Sequence, residues 1–404
     1  MAPYESDDAV DAARVDAAGD EERHAARRKA ARYAVPVAVV GVAAATIGLV
    51  PALAASGDPD LPRITAQQLI EKIAKSDVQQ MSGTVRIDTD LGLPDLGGLA
   101  NNLSSAAGKG SGDGSSADPR SQLTSLVSGT HTLRVAADGP EKQKLSLLES
   151  GSEYSLIHNG KNVWGYDSKT NDVYHGTSAD SGKEHRAEPP ATPKDFADQA
   201  LKSVDGTTSV TVDGTERVAG RDAYKLLIKP RQSGTTVGAI SIAVDAKTGT
   251  PLKFTLTPKS GGAAVLDVGF TQVSFAKPAA STFDFTPPKG AKVTEEKKDS
   301  AAHKHAPEPG RDFAKGMNGA DVLGEGWTSI ATFDTGAKGG LPTGSRGGDF
   351  GGFLGSLGEK VSGKFGKGTV FSTRLVNALI TDDGKVYAGA VTKDALVKAA
   401  NEGK

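Results

Sequence analysis

The chain has 404 residues, 24% of them charged, and a formal net charge of −2, so no basic field gathers phosphates and a nucleic-acid partner is not expected. It holds no cysteine, which removes disulfides, thiolate zinc sites, thiol nucleophiles and a lipidated cysteine. Length allows two or three domains, but the 50 glycines, concentrated at 91–119 and 335–368, mark stretches that read as flexible chain.

Residues 1–32 are acidic first and basic at 23–32, and read as a disordered leader. Tyr33 to Ala55 is an uncharged run of 23 residues, enough to cross a hydrocarbon core as a single transmembrane helix. Arg23, Arg27, Arg28, Lys29 and Arg32 precede it, and Asp58 and Asp60 follow. This bias places 1–32 in the cytoplasm and the bulk of the chain outside it, a single-pass protein of the cell membrane. Cleavage near Ala54-Ala55 is the competing reading and would give a secreted protein. The charged leader and the long apolar run favour retention.

A helix is expected over 64–77, where Thr65 and Gln68 are spaced as a capping box and Leu69, Ile70 and Ile73 share a face. A strand follows from Met81 to Asp90, then a Gly/Ser-rich insert over 91–128. Short alternating segments come next at 130–137, 143–149, 153–158, 162–167, 208–213, 216–219, 222–229, 238–246, 251–257 and 263–276. Their one-sided apolar pattern predicts an antiparallel sheet covered on one face. Val85, Ile87, Trp164, Tyr166, Tyr224, Leu226, Ile228, Ile240, Ile242, Val244, Phe254, Leu256, Leu266, Val268 and Phe270 are the candidate ligand-binding residues of that face. Asn159-Gly160 and Ala246 to Gly249 supply hairpin turns. A second helix is marked over 192–204, with Thr192 as cap, Pro193 in first position and Asp195 completing the start.

The fold class is therefore α+β, with the sheet domain over 56–290 and a linker over 291–310. Residues 311–404 hold a glycine-rich segment and a small unit: a hairpin from Val370 to Val391 turning at Asp382-Asp383-Gly384, and a helix from Thr392 to Asn401.

Catalytic signals fail on inspection. Lys247-Thr248-Gly249 matches a β-lactamase-type triplet, but the required Ser-x-x-Lys must precede it, and Ser274 to Lys277 follows it on a strand. The triplet reads as a turn. His303-Lys304-His305 lacks a third ligand, so no metal or other cofactor is expected, and the glycines at 347–358 lack a phosphate-loop ending. The chain is not expected to be an enzyme.

Three segments, in order, resemble the LolA-like superfamily, which includes lipoprotein carriers, mycobacterial lipid-binding lipoproteins and the sensor domain of RseB-type regulators. They are ITAQQLIEKIAKSDVQQMSGTVRI at the start, His158 to Asp167 (HNGKNVWGYD), and Phe283 to Val293 (FDFTPPKGAKV). The second is similar to a DG-x-x-hydrophobic-W-x-Y-D hairpin, with His-Asn in place of the acidic residue. The third is similar to an F-x-F-x-P-P-x-G-x-x-V ending. Val218 to Asp245 looks more like the RseB branch. The resemblance implies a curved antiparallel half-barrel whose apolar face, lidded by helices, receives a lipid or lipoprotein acyl chain. Its RseB branch implies an alternative, an envelope-stress sensor that binds a membrane protein such as an anti-sigma factor. A structural protein with a filled core is the third reading.

Overall fold

The computed structural model describes residues 58–92, 116–119, 122, 126, 128–177, 192–296, 321–334 and 358–403. The segment 33–55, the leader 1–32 and His303 to His305 lie outside the described residues. Among the described residues no helix is long and apolar enough to cross a membrane.

Helix α1 (Ala66–Ala74) starts where the capping box predicts: the Gln68 N–H donates to Thr65 Oγ1 at 3.2 Å, and Gln68 Oε1 accepts from the Thr65 N–H at 3.0 Å. Leu69 and Ile73, one turn apart, are its buried residues. Strand β1 (Gln80–Thr89) follows. After the insert come β2 (Gly129–Asp138), β3 (Lys142–Glu149), β4 (Ser152–Asn159), β5 (Asn162–Asp167) and β6 (Asp172–Thr177). Helix α2 (Pro193–Lys202) carries the second reciprocal cap between Thr192 and Asp195. Then come β7 (Thr208–Val218), β8 (Arg221–Pro230), β9 (Val237–Asp245), β10 (Pro251–Pro258), β11 (Leu266–Ser274) and β12 (Lys292–Glu295).

These strands form one 12-stranded sheet in the order β12-β6-β5-β4-β3-β2-β1-β11-β10-β9-β8-β7. Two meanders, β1 to β6 and β7 to β11, meet where β1 pairs antiparallel with β11. The sheet is open and uncurled, with β12 and β7 at its edges, and does not form the curved half-barrel that the resemblance implies.

Several expectations change here. The segments 208–213 and 216–219 are one strand, β7, interrupted by a register shift between Val212 and Thr215. Strand β6 was not expected, because DVYHGT alternates too weakly to signal a strand alone. The linker expected over 291–310 begins instead as strand β12, which pairs parallel with β6. The insert over 91–128 is not all free chain: Ala117 is fully buried and Leu126 nearly so.

The C-terminal part is larger than a hairpin and helix. Strands β13 (Asp321–Leu323), β14 (Ile330–Asp334), β15 (Glu359–Gly363), β16 (Gly366–Ser372), β17 (Asn377–Thr381) and β18 (Lys385–Gly389) form a six-stranded antiparallel sheet in the order β13-β14-β18-β17-β16-β15. Helix α3 (Lys393–Glu402) packs Leu396 and Ala400 against Leu379, Tyr387 and Phe365. Glycines here serve close approach as well as turning. A Cβ on Gly368 would stand 2.8 Å from the Ile380 carbonyl oxygen on the neighbouring strand.

The two sheets meet at the β8–β9 connection. Thr235 bridges Val391, the Thr236 N–H donates to the Ala390 carbonyl at 2.9 Å, and the Thr392 N–H donates to the Gly234 carbonyl at 2.7 Å. Arg374, in the turn after β16, pairs with Asp90 at the end of β1 at 2.5 Å.

Candidate functional site

Register decides which side chains share a face, because neighbours directly opposite in a sheet point the same way. Val85 lies opposite Phe270 and Ile87 opposite Val268; Phe254 lies opposite both Val268 and Ile242. Leu256 lies opposite Leu266 and Ile240, Leu226 opposite Ile242, Ile228 opposite Ile240, and Tyr224 opposite Val244. The structure thus brings all the candidate residues from β1 and β8–β11 onto one continuous apolar face.

Trp164 and Tyr166 do not join them. Trp164 pairs with Ile157 and Tyr166 with Ser155, whereas Tyr154 and Leu156, facing the other way, continue the face of Val85 through Leu133 and Leu147. Trp164 stacks on His175 with ring centroids 3.8 Å apart, and Phe285 lies against both Trp164 (5.5 Å) and Tyr166 (5.7 Å). The FDFTPP segment therefore covers these aromatics on the back of the sheet. Alternation within HNGKNVWGYD could not reveal this, since the side a strand turns to the core is set by its partners.

The face has two halves. Over β8–β10, helices α1 and α2 seal it: Leu226, Ile228, Ile242 and Val244 are fully buried beneath Leu69, Ile73 and Ala197. Phe196 meets Phe254 with centroids 5.4 Å apart. The Tyr224 hydroxyl donates to the Pro62 carbonyl at 2.9 Å, so its polar atom is satisfied. Over β1–β4, one cross-strand row, Val85-Leu133-Leu147-Tyr154, is buried. The next, Val135-Leu145-Leu156, is only half buried, and Met81 lies half buried beside it.

These extra residues were absent from the candidates, although the alternation of Leu133/Val135, Leu145/Leu147 and Tyr154/Leu156 carries the signal. Phe196 and Leu266 pack against both halves and mark the seam. At the far end of the row stands Gly165, where a Cβ would come 2.4 Å from the Ala117 carbonyl oxygen. Here the insert closes on the sheet, with the Tyr154 hydroxyl donating to that same oxygen at 3.2 Å.

The opposite face of β1 and β8–β11 is polar, crossed by Lys225–Asp213 (3.2 Å), Lys253–Asp267 (3.0 Å) and Arg86–Asp88 (2.8 Å). Exposed pairs of this kind contribute little to stability. Asp245 differs. Burial works to raise its pKa, but hydrogen bonds from Arg221 and from the Thr248 N–H and hydroxyl outweigh burial and hold the carboxyl below the ordinary range. Those bonds build the turn at Lys247-Thr248-Gly249, as the sequence led us to expect. Lys277 pairs with Asp138 at 3.4 Å, and Ser274 Oγ accepts from the Ala276 N–H. Among the described residues no cluster of His, Asp and Glu could hold a metal ion.

No family model and no curated protein matches this chain. Among solved structures, the MucA/MucB complex of Pseudomonas aeruginosa aligns at 16% identity over 83% of this chain and 96% of that one, with a TM-score of 0.40. A LolA superfamily protein from Nitrosomonas europaea aligns at 11% identity over 55% and 99%, with a TM-score of 0.19. The structural neighbours of this chain thus include LolA-superfamily and MucB proteins. A putative outer membrane lipoprotein-sorting protein domain from Vibrio parahaemolyticus is a further one, at 10% identity over 52% and 91%, with a TM-score of 0.20.

Proposed function

We propose that this chain is a membrane-tethered, extracytoplasmic binding protein that holds the acyl chain of a lipid or lipoprotein against the apolar face, without covalent chemistry. The observation that carries the reading is the half-buried row Val135-Leu145-Leu156. It continues a sealed apolar face beyond the reach of helices α1 and α2, where an apolar guest completes the burial that side chains leave undone. Each methylene buried there contributes about 0.8 kcal/mol, so a single acyl chain supplies useful affinity from apolar contact alone. In this reading the uncharged segment 33–55 keeps the site within reach of its own membrane.

The test is the lipid content of the full-length protein purified from membranes. Lipids extracted from the wild type should include a species held in near-stoichiometric amount. Leu145→Asp and Leu156→Asp, which place a charge on the half-buried row, should lose it while circular dichroism stays unchanged. Equal lipid content in wild type and variants overturns the proposal.

A further inference from the structure

The seam between the two sheets holds a cavity of about 340 Å³. The first sheet lines it with Thr235 and Thr236 from the β8–β9 connection and with Lys259 and Ser260 from the β10–β11 connection. The second contributes Thr373 and Arg374 from the turn after β16, and Thr392, the N-cap of α3. This lining carries two cations and five hydroxyls, and no carboxylate.

Part of the lining holds the walls together. The Thr235 hydroxyl donates to the Ala390 carbonyl at 2.8 Å, the Thr236 hydroxyl to the Leu375 carbonyl, and the Thr373 hydroxyl to the Val376 carbonyl at 2.7 Å. The Arg374 guanidinium is engaged by the Asp90 carboxylate at 2.5 Å and by the carbonyls of Asp90 and Ala263. The remaining groups are donors without an acceptor. Lys259 is exposed and has no acid partner among the described residues, and the Ser260 hydroxyl likewise has no hydrogen bond there. Thr392 Oγ1 accepts from the Ala395 N–H at 3.4 Å, which leaves its own proton to give. The helix that begins at Thr392 adds the positive end of its dipole. Asp394, the acidic residue of that first turn, is exposed and does not line the cavity.

We infer that this cavity binds a phosphate group, with Lys259 as its counter-ion and the Ser260 and Thr392 hydroxyls as donors. A cation would find no carboxylate here, and an apolar guest would strip water from an unpaired ammonium. Phosphate offers several acceptor oxygens to charge-assisted bonds. The volume lies at the small end of the range for ligand pockets, about 300–1,000 Å³, and leaves room for part of a group esterified to the phosphate. Inorganic phosphate and a phospholipid head group both meet these terms. Because the donors come from both sheets, a bound phosphate fastens one to the other. The site shares no residue with the apolar face and does not depend on the acyl-binding reading.

Titration calorimetry of the full-length protein in detergent, at constant ionic strength, with inorganic phosphate and separately with glycerol 3-phosphate, tests the site. One site per chain is expected. Lys259→Gln, which keeps the side chain but removes its charge, should weaken binding about tenfold, as the loss of one hydrogen bond to a charged group does. Lys259→Arg should retain most of the affinity. Lys367→Gln, which removes the same charge at the other end of β16 from Thr373, should bind as the wild type does. Tighter binding of glycerol 3-phosphate than of phosphate assigns the site to a lipid head group, and equal or weaker binding assigns it to free phosphate. The site is refuted if neither compound saturates it, if Lys259→Gln binds like the wild type, or if Lys367→Gln loses as much affinity as Lys259→Gln.

Discussion

The two halves of the apolar face share a sheet, a face and a residue vocabulary, yet one is closed by the protein's own helices and the other is not. Over β8–β10, α1 and α2 each contribute residues spaced a turn apart, and the strand residues beneath are sealed from water. Over β1–β4 the cover among the described residues includes Ala117 and Leu126, with Phe196 at the seam, and the adjoining row stays only half buried. Burial in one sheet is thus apportioned by what is laid over it, and is most complete under the helices.

Breaking each half separately measures that difference. Leu226→Ala, in the sealed half, should cost about 3 kcal/mol in urea unfolding, because a fully buried leucine leaves a cavity. Leu156→Ala, in the half-buried row, should cost about 1 kcal/mol or less. Equal losses would show that both halves are cores of one kind.

Asp245→Asn, at the turn between β9 and β10, should cost about 2 kcal/mol by leaving Arg221 without its charged partner. The folded-state pKa of Asp245 is depressed, so its contribution is present above the ordinary aspartate value. It is lost as pH falls through the lower folded value. Unfolding midpoints followed from about pH 6 down to about pH 2 should therefore fall less steeply in the variant than in the wild type.

Gly165→Ala forces the Ala117 carbonyl away from β5 and should cost about 1–2 kcal/mol. It should also expose the segment around 116–119 to limited proteolysis, while leaving the sealed half protected in hydrogen exchange. The smallest effect is expected at the caps. Thr192→Ala should lower stability by about 1 kcal/mol, read as a small shift in the unfolding midpoint.

Much of this architecture was legible in the residues. Both capping boxes, the turns at Gly160, Gly249 and Gly384, and the alternation in β8 to β11 carry local signals, and each lies where it was expected. What the sequence hid depends on partners distant along the chain. Trp164 and Tyr166 alternate like any face-lining pair, but their register against Ile157 and Ser155 turns them to the back of the sheet, under Phe285. Strand β12 exists because β6 is there to receive it. Gly368 of β16 reads as free chain until the neighbouring strand β17 explains why nothing larger fits. Trp327 stands among glycines and polar residues, so nothing beside it in the chain pointed to the Leu226/Ile228 cluster it packs against.

Strand β12, described above as a departure from the expected linker, has a consequence for how copies of this protein meet. It is four residues long and charged at both ends, and it caps one margin of the long sheet. The other margin, β7, is broken by a register shift between Val212 and Thr215. Neither offers the long, straight row of open amide and carbonyl groups on which a neighbouring chain could add a strand. The margins of the long sheet therefore resist adding a neighbouring chain's strand when the protein is crowded.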